Sequence, residues 1–194
     1  MRSLTVLLTA FISMACSHTP TAPLPRAENV DINRFMGRWY VIANIPTFIE
    51  KGAHNAIESY SLNKDGSIAT RFSFYDDSFD GELKQYEPTG YVSKTDNSLW
   101  GMQFIWPFKA EYVITYLSSD YQHTIIGRSA RDYLWIMSRQ PVMDEKVYKE
   151  LIEFSATLGY NTDLIEKVPQ QWPEKDSENH INTNTENMPM ENKP

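Results

Sequence analysis

The sequence predicts an all-β domain, an eight-stranded antiparallel up-and-down β-barrel with one C-terminal α-helix packed against its outside. Three observations predict it. Apolar residues recur with a period of two from Gly37 to Arg139; the runs are joined by turns too short for a crossover helix; and a helical period appears only after the last run. Short connections make neighbouring strands antiparallel, and such a sheet must close or stack to hide its edges.

The elements follow in order. "INRFMGRWYVIANIP" (Ile32 to Pro46) reads as a short helical lead-in, a glycine bend at Gly37, and an apolar strand headed by Trp39 and stopped by proline. "NAIESYSL" alternates Ala56, Glu58, Tyr60 and Leu62 against Ile57, Ser59 and Ser61. "NKDG" then supplies a hairpin turn with Gly66 free to take positive φ. "SIATRFSFY" puts Ile68, Thr70, Phe72 and Phe74 on one face, and "DDSFDGE" turns the chain again. "KQYEPTGYVS" is a weaker strand in which Pro88 and Gly90 signal a bulge or an edge. "SLWGMQFIWPF" carries the stripe Trp100, Met102, Phe104, Trp106, and "EYVITYL" carries Tyr112, Ile114, Tyr116. After "SSDYQ" comes "HTIIGRS", and after "ARD" comes "YLWIMSR", with Tyr133, Trp135 and Met137 on one face. "DEKVYKELIEFSATLGY" then has Asp144 as N-cap, apolar residues at three-to-four spacing, and Gly159 as its stop; "DLIEKV" reads as a short final strand.

An eight-stranded barrel holds one small ligand or fills with side chains. Large inward residues mixed with Thr70, Gly90, Gly127 and Ser129 favour a cavity.

The ends read differently from this unit. "MRSLTVLLTAFISMACS" has a basic Arg2, an apolar run from Leu4 to Met14 and then Ala15-Cys16; the run is too short to span a bilayer and reads as a secretory signal over residues 1–15. The chain's one cysteine cannot form an internal disulfide. Its surroundings resemble the lipobox of a bacterial lipoprotein, with Ser13 where that motif prefers an apolar residue and Ser17 at the position associated with transfer to the outer membrane. The resemblance implies lipidation of Cys16, and several acyl chains at about 0.8 kcal/mol per buried CH₂ make a stable anchor. Residues 16–29, with Pro20, Pro23 and Pro25, read as a semi-rigid tether. Residues 172–194, rich in Asn, Glu and Pro, read as a disordered tail, leaving a folded domain over 30–171.

A net charge of -7 and the lack of a basic cluster exclude broad contact with nucleic acid. The four histidines are scattered, and no H-x-x-x-H, C-x-x-C or G-x-S-x-G occurs, so the sequence points to no metal, no cofactor and no enzyme.

Three motifs carry a resemblance. "GRWY" (37–40) matches the G-x-W signature that opens a lipocalin barrel. "SSDY" (118–121) is similar to the second signature, usually T-D-Y, and "YLWIMSRQP" resembles the third, whose arginine is Arg139 here. The likeness runs from about 30 to 171 and is nearest to the bacterial outer-membrane lipocalins and the related apolipoprotein D. It implies that Gly37, Trp39 and Arg139 close one end, with the guanidinium on the indole face contributing roughly 0.5–2 kcal/mol.

The expected cavity wall is Tyr60, Phe72, Trp100, Met102, Phe104, Tyr112, Ile114, Tyr116, Trp135 and Met137, an apolar chamber with phenolic hydroxyls. Simple core packing is the alternative for each. Glu58 faces inward by parity, where an unpaired carboxylate is costly; it sits in water at the mouth, pairs with Arg71 or Arg128, or meets a ligand head group. The loop "IPTFIEKGAHN" belongs to the mouth, and the Trp106-Pro107-Phe108 turn could serve a homodimer interface.

The expected protein is therefore an outer-membrane lipoprotein on the periplasmic face, binding and carrying fatty acids or lysophospholipids in envelope maintenance or stress. The rivals are an envelope interaction protein with a filled barrel and a lipid-modifying barrel enzyme using mouth carboxylates.

Overall fold

The computed structural model describes residues 22–173; the expected signal, Cys16 and most of the expected tail lie outside that range. Within it, Asp31 caps a one-turn helix α1 (Ile32–Phe35), its carboxylate accepting from the backbone N–H of Asn33 and Arg34. Gly37, at φ 92°, turns the chain from α1 into β1 (Gly37–Ile45). The strands that follow are β2 (Ala53–Leu62), β3 (Ser67–Asp76), β4 (Leu83–Tyr86), β5 (Thr89–Val92), β6 (Leu99–Ile105), β7 (Phe108–Leu117), β8 (His123–Gly127) and β9 (Leu134–Ser138). Helix α2 (Glu145–Thr157) and a two-residue strand β10 (Glu166–Lys167) complete the fold.

Every paired strand is antiparallel to its partner, and β1 pairs with both β2 and β9, which closes the barrel. Of the ten strands, β4 and β5 both lie on β3 as halves of one strand, and β10 is an addition beside β1, so the barrel proper has eight. The break falls at Glu87-Pro88, beside the proline at which the sequence signalled a bulge or an edge. Pro88 has no N–H to give the ladder, but its carbonyl accepts from Thr70 N at 3.2 Å.

The segment after α2 mends a gap between β1 and β2. These strands pair only near one end, from Gly37↔Tyr60 to Tyr40↔Ile57. Beyond that, β10 pairs with Ala43 and Asn44, Val168 N donates to the Ile42 carbonyl, and Asn55 N donates to the Pro169 carbonyl. The Gln170 side-chain amide donates to the Val41 carbonyl at 2.7 Å. Backbone groups that a splayed pair would leave orphaned are satisfied in this way.

Two apolar clusters divide the strands by parity. The inner one holds Phe35, Trp39, Val41, Ala53, Ala56, Tyr60, Ile68, Phe72, Phe74, Trp100, Met102, Tyr112, Ile114, Ile126 and Met137. The outer one sets Tyr40, Ile57, Val113, Ile125, Leu134 and Ile136 against Leu151 in the middle of α2 and Leu158 at its C-cap. Asp144 caps α2, accepting from Lys146 and Val147 N–H, and Gly159 at φ 88° follows the helix end. Gly127 belongs to the outer side, contrary to the inward reading. A Cβ there would come within 2.4 Å of the Tyr160 hydroxyl, which bonds the backbone of Arg128. Ser129, also expected inward, instead bonds the Glu111 carboxylate in the loop after β8.

The connections alternate between two ends. α1 and the turns at 63–66, 93–98 and 118–122 share one end, and the loops at 46–52, 77–82, 106–107 and 128–133 share the other. Residues 22–30 run along the outside from the second end to the first. Ala22 accepts from Arg131 and Pro25 from Thr115; Ala27 N donates to the Ile114 carbonyl, and the Val30 carbonyl accepts from Asn97. With Leu24 buried, the inner half of the expected tether is a strap on the barrel wall. Trp172, read as the first residue of the tail, packs its ring 5.4 Å from Tyr40.

Candidate functional site

The first end is sealed. Trp39 is fully buried and donates its indole N–H to the Phe35 carbonyl at 2.9 Å. The Arg139 guanidinium lies 3.8 Å over its ring. Nη1 of Arg139 donates to the Arg38 carbonyl, and Nη2 to those of Arg34, Phe35 and Met36 at 2.9–3.0 Å. The arginine thus caps the open carbonyl end of α1 while covering the floor tryptophan. Gly37 makes the approach from α1 to β1 possible through its φ of 92°, which L side chains rarely adopt. Burial lowers the Arg139 pKa to about 10, so it stays charged at neutral pH.

Above the floor lies an aromatic layer. Phe35 meets Trp39 at 5.1 Å and Trp100 edge-on at 5.5 Å, while Trp100 stacks on Tyr112 at 5.2 Å. The polar tips in this layer are satisfied: Trp100 donates to the Asn97 carbonyl, and the Tyr60 and Tyr112 hydroxyls share a 2.7 Å bond. Burial raises the pKa of both phenols well above the ordinary tyrosine value. Farther up, Phe72, Phe74 and Tyr86 form one wall, with Phe72–Phe74 at 5.2 Å. Ala53 and Ala56 are the small inward residues of β2.

Glu58 projects inward from β2, in register with Trp39 on β1 and Phe72 on β3. Neither arginine considered for it is its partner: Arg71 pairs with Glu87, and Arg128 with Asp132. It does not sit in water at the mouth either, because its register places it beside the floor tryptophan. The residue is intermediate in burial although it faces inward, and its Oε2 is sealed and lacks a hydrogen-bond partner among the described residues. Burial and the nearby charge of Glu50 raise its pKa to about 8, against a lowering contact from Tyr60. Thr70 Oγ1, on the neighbouring strand, is likewise buried and unpartnered among the described residues.

Near the mouth, a second acid is well held. Glu50 Oε2 accepts from Asn44 and from the Trp135 indole, each at 2.9 Å, and Oε1 accepts from Thr47 at 3.0 Å. Burial raises its pKa and these bonds oppose the rise. Sequence reasoning missed Glu50, because a loop has no period from which to read orientation.

Of the expected wall, Tyr60, Phe72, Trp100, Met102, Tyr112, Ile114 and Met137 lie in the inner cluster, and Trp135 packs against it. Two residues need correction. Phe104 is 54% exposed, beyond a register shift between Met102 and Ile105 that takes it off the inner face. Tyr116 faces outward against Phe154 of α2 at 5.4 Å, after a shift between Ile114 and Tyr116. Phe104 instead joins Ile105, Trp106 and Phe108 in an exposed apolar hairpin at the mouth, Trp106 being 82% exposed, and Phe48 is exposed in another mouth loop. Among the described residues no cluster of His, Cys, Asp and Glu could hold a metal ion.

This geometry agrees with the comparisons to known proteins. Temperature-induced lipocalin-1 of Arabidopsis thaliana is 33% identical over 150 residues, covering 74% of this chain and 81% of its own. Outer membrane lipoprotein Blc of Escherichia coli K12 is 30% identical over 154 residues, covering 78% of this chain and 86% of its own. Apolipoprotein D of Bos taurus is 29% identical over 144 residues, covering 69% and 71%. Among solved structures, insecticyanin from the tobacco hornworm Manduca sexta superposes with a TM-score of 0.61 at 14% identity, over 81% of this chain and 88% of that one. The lipocalin-like domain family matches residues 30–170, and on that match, with the closed barrel and its arginine-covered tryptophan, the chain belongs to the lipocalin family.

Proposed function

We propose that the protein is a lipid-anchored lipocalin that binds apolar ligands, fatty acids or lysophospholipids among them, and carries or stores them at the outer membrane, on its periplasmic face, in envelope maintenance or stress. The observation that carries this reading is a barrel closed at one end by Trp39 and Arg139, with the inward-facing carboxyl of Glu58 left without a partner for Oε2 among the described residues. The chamber above the floor is walled by Phe72, Phe74, Met102 and Met137. Burial of an alkyl chain against such a wall is driven by about 25 cal/mol per Å² of apolar surface. We read it as a binding site rather than a catalytic one, since Glu50 is engaged by three hydrogen bonds and the Tyr60 hydroxyl beside Glu58 is already shared with Tyr112.

The tightly packed floor aromatics favour the filled-barrel rival for the lower part of the interior, so the ligand occupies the upper part. Native mass spectrometry of the protein purified in mild detergent tests the reading. A copurifying or added fatty acid or lysophospholipid retained at one per chain supports it. Retention of none by a folded protein would favour the interaction protein.

The anchor assignment is tested separately. Cys16 lies outside the described residues, but Ala22 is held by Arg131 at the mouth end. Six residues of chain reach at most about 20 Å, so acyl chains on Cys16 would hold the mouth close to the bilayer. The exposed hairpin at Trp106 is on that same end. Cys16→Ser is expected to move the protein out of the membrane fraction and abolish palmitate incorporation; undiminished incorporation would contradict the anchor. In vesicles containing brominated lipid, the anchored protein is expected to show tryptophan quenching that Trp106→Phe removes. Equal quenching in the two proteins would turn the hairpin away from the membrane and leave it to a second copy of the chain.

A further inference from the structure

The interior is electrostatically one-sided. Two carboxyl side chains, Glu58 and Glu50, belong to it, and Glu58 has a buried oxygen without a partner among the described residues. The cations are elsewhere. Lys84, at the rim, is held by Glu82 at 2.6 Å and lies 3.8 Å from Asp76. Arg139 is bound to the α1 carbonyls beneath the floor. The remaining described lysines and arginines stand on turns, on helices, in the strap or at outward strand positions such as Arg38, Arg71 and Lys109. A carboxylate head entering this chamber finds no free cation among the described residues to pair with, and it is repelled once Glu58 loses its proton. An amine meets the Glu58 carboxyl, whose sealed Oε2 has no partner among the described residues and gains one as the side chain turns to the head group, and the aromatic faces of its cross-strand and same-face neighbours Phe72 and Tyr60.

We propose that Glu58 is a head-group receptor that selects, among long-chain apolar ligands, those ending in an amine over those ending in a carboxylate. The proposal rests on the container reading and deepens it. The register of Glu58 with Trp39 fixes the pose: the amine goes down first and the alkyl chain runs up past Phe74 towards the mouth.

The proton balance follows from the groups that face Glu58. These are Glu50 from the β1–β2 loop, Tyr60 on β2 and Tyr112 on β7; β1, β3 and β9 present Trp39, Phe72, Thr70 and Met137, which do not titrate. At pH 7, burial keeps Glu58 mostly protonated. An incoming alkylammonium pairs with the carboxylate, and the Glu58 proton leaves to solvent. Amine binding therefore releases close to one proton at pH 7 and strengthens as the pH rises from 6 to 8. A fatty carboxylate instead weakens over that range, because it adds charge beside an acid that is losing its proton.

The test is displacement of the neutral apolar probe N-phenyl-1-naphthylamine by dodecylamine, dodecanol and dodecanoate at pH 6, 7 and 8. Dodecylamine is expected to displace it at a concentration at least tenfold below dodecanoate at pH 8. Glu58→Gln is expected to bring the two within threefold and to abolish proton release, read by calorimetry in two buffers of different ionisation enthalpy. Near-UV circular dichroism checks the variant's fold, and Glu58→Asp, which keeps the charge, is expected to retain the preference for amine. Dodecanoate displacing as well as dodecylamine, or a ratio that survives in Glu58→Gln, overturns the proposal while leaving the container intact. Displacement by none of the three overturns the container and the proposal together.

Discussion

Arg139→Ala is expected to lower the free energy of unfolding by about 3 kcal/mol, and Arg139→Lys to recover less than half of that. The guanidinium donates to four backbone carbonyls, three of them in the last turn and cap of α1, while its flat face lies 3.8 Å over Trp39. Charge-assisted bonds contribute about 1.5–3 kcal/mol each when nothing replaces them, and the cation–π contact roughly 0.5–2. Water can reach part of this site and re-solvate the outer carbonyls, which brings the sum down to the figure expected. Lysine restores the charge but cannot span a fan of carbonyls or lie flat on an indole. Denaturant unfolding of the three proteins checks this. A change below 0.5 kcal/mol for Arg139→Ala, on the order of an ordinary surface substitution, would mean that the floor holds without its clamp.

The second large effect concerns pH. The folded-state pKa of Glu58 is raised to about 8 from an ordinary value of 4.5. A raised acid prefers its protonated form in the folded protein. Its stabilising contribution is therefore fully present below about pH 4.5 and is lost as the pH climbs through 8. Over that window the wild type is expected to lose stability at up to roughly 1.4 kcal/mol per pH unit, Glu50 adding in the same direction where its own raised pKa permits. Glu58→Gln keeps the shape without the titration, so its stability is expected to be nearly flat between pH 5 and 8 and to exceed the wild type at pH 8. Chemical unfolding of both proteins across that range is the measurement. Parallel curves would show that Glu58 is solvated in the folded state.

Much of the architecture was legible because period two and turn chemistry are local properties. The hairpin at "NKDG", the strand broken at Pro88 and the Asp144 cap all rest on residues whose neighbours in sequence decide their conformation. The floor was legible through a resemblance, since nothing local joins Trp39 to an arginine a hundred positions away. The inward face of the strands was read correctly up to each bulge and wrongly beyond it. One extra residue in β6 and in β7 inverts the parity of everything after it, which sends Phe104 to the rim and Tyr116 under the helix. The shift in β7 coincides with the strap, whose Ala27 and Pro25 bond Ile114 and Thr115, a contact between segments too distant in sequence to be read from either. Glu50 was hidden for the opposite reason: its burial comes from Asn44 and Trp135 closing over a loop.

The central claim is that an apolar ligand sits inside the barrel above Trp39. Ala56 is the place to test it, being small, 1% exposed and part of the inner cluster. Titration of the neutral apolar probe N-phenyl-1-naphthylamine into the wild type and into Ala56→Trp, both checked for native far-UV spectra, measures it most directly. The expected result is one probe bound per wild-type chain at micromolar affinity and at least a tenfold loss in Ala56→Trp. Equal binding by the two proteins would place the ligand outside the barrel and contradict the account.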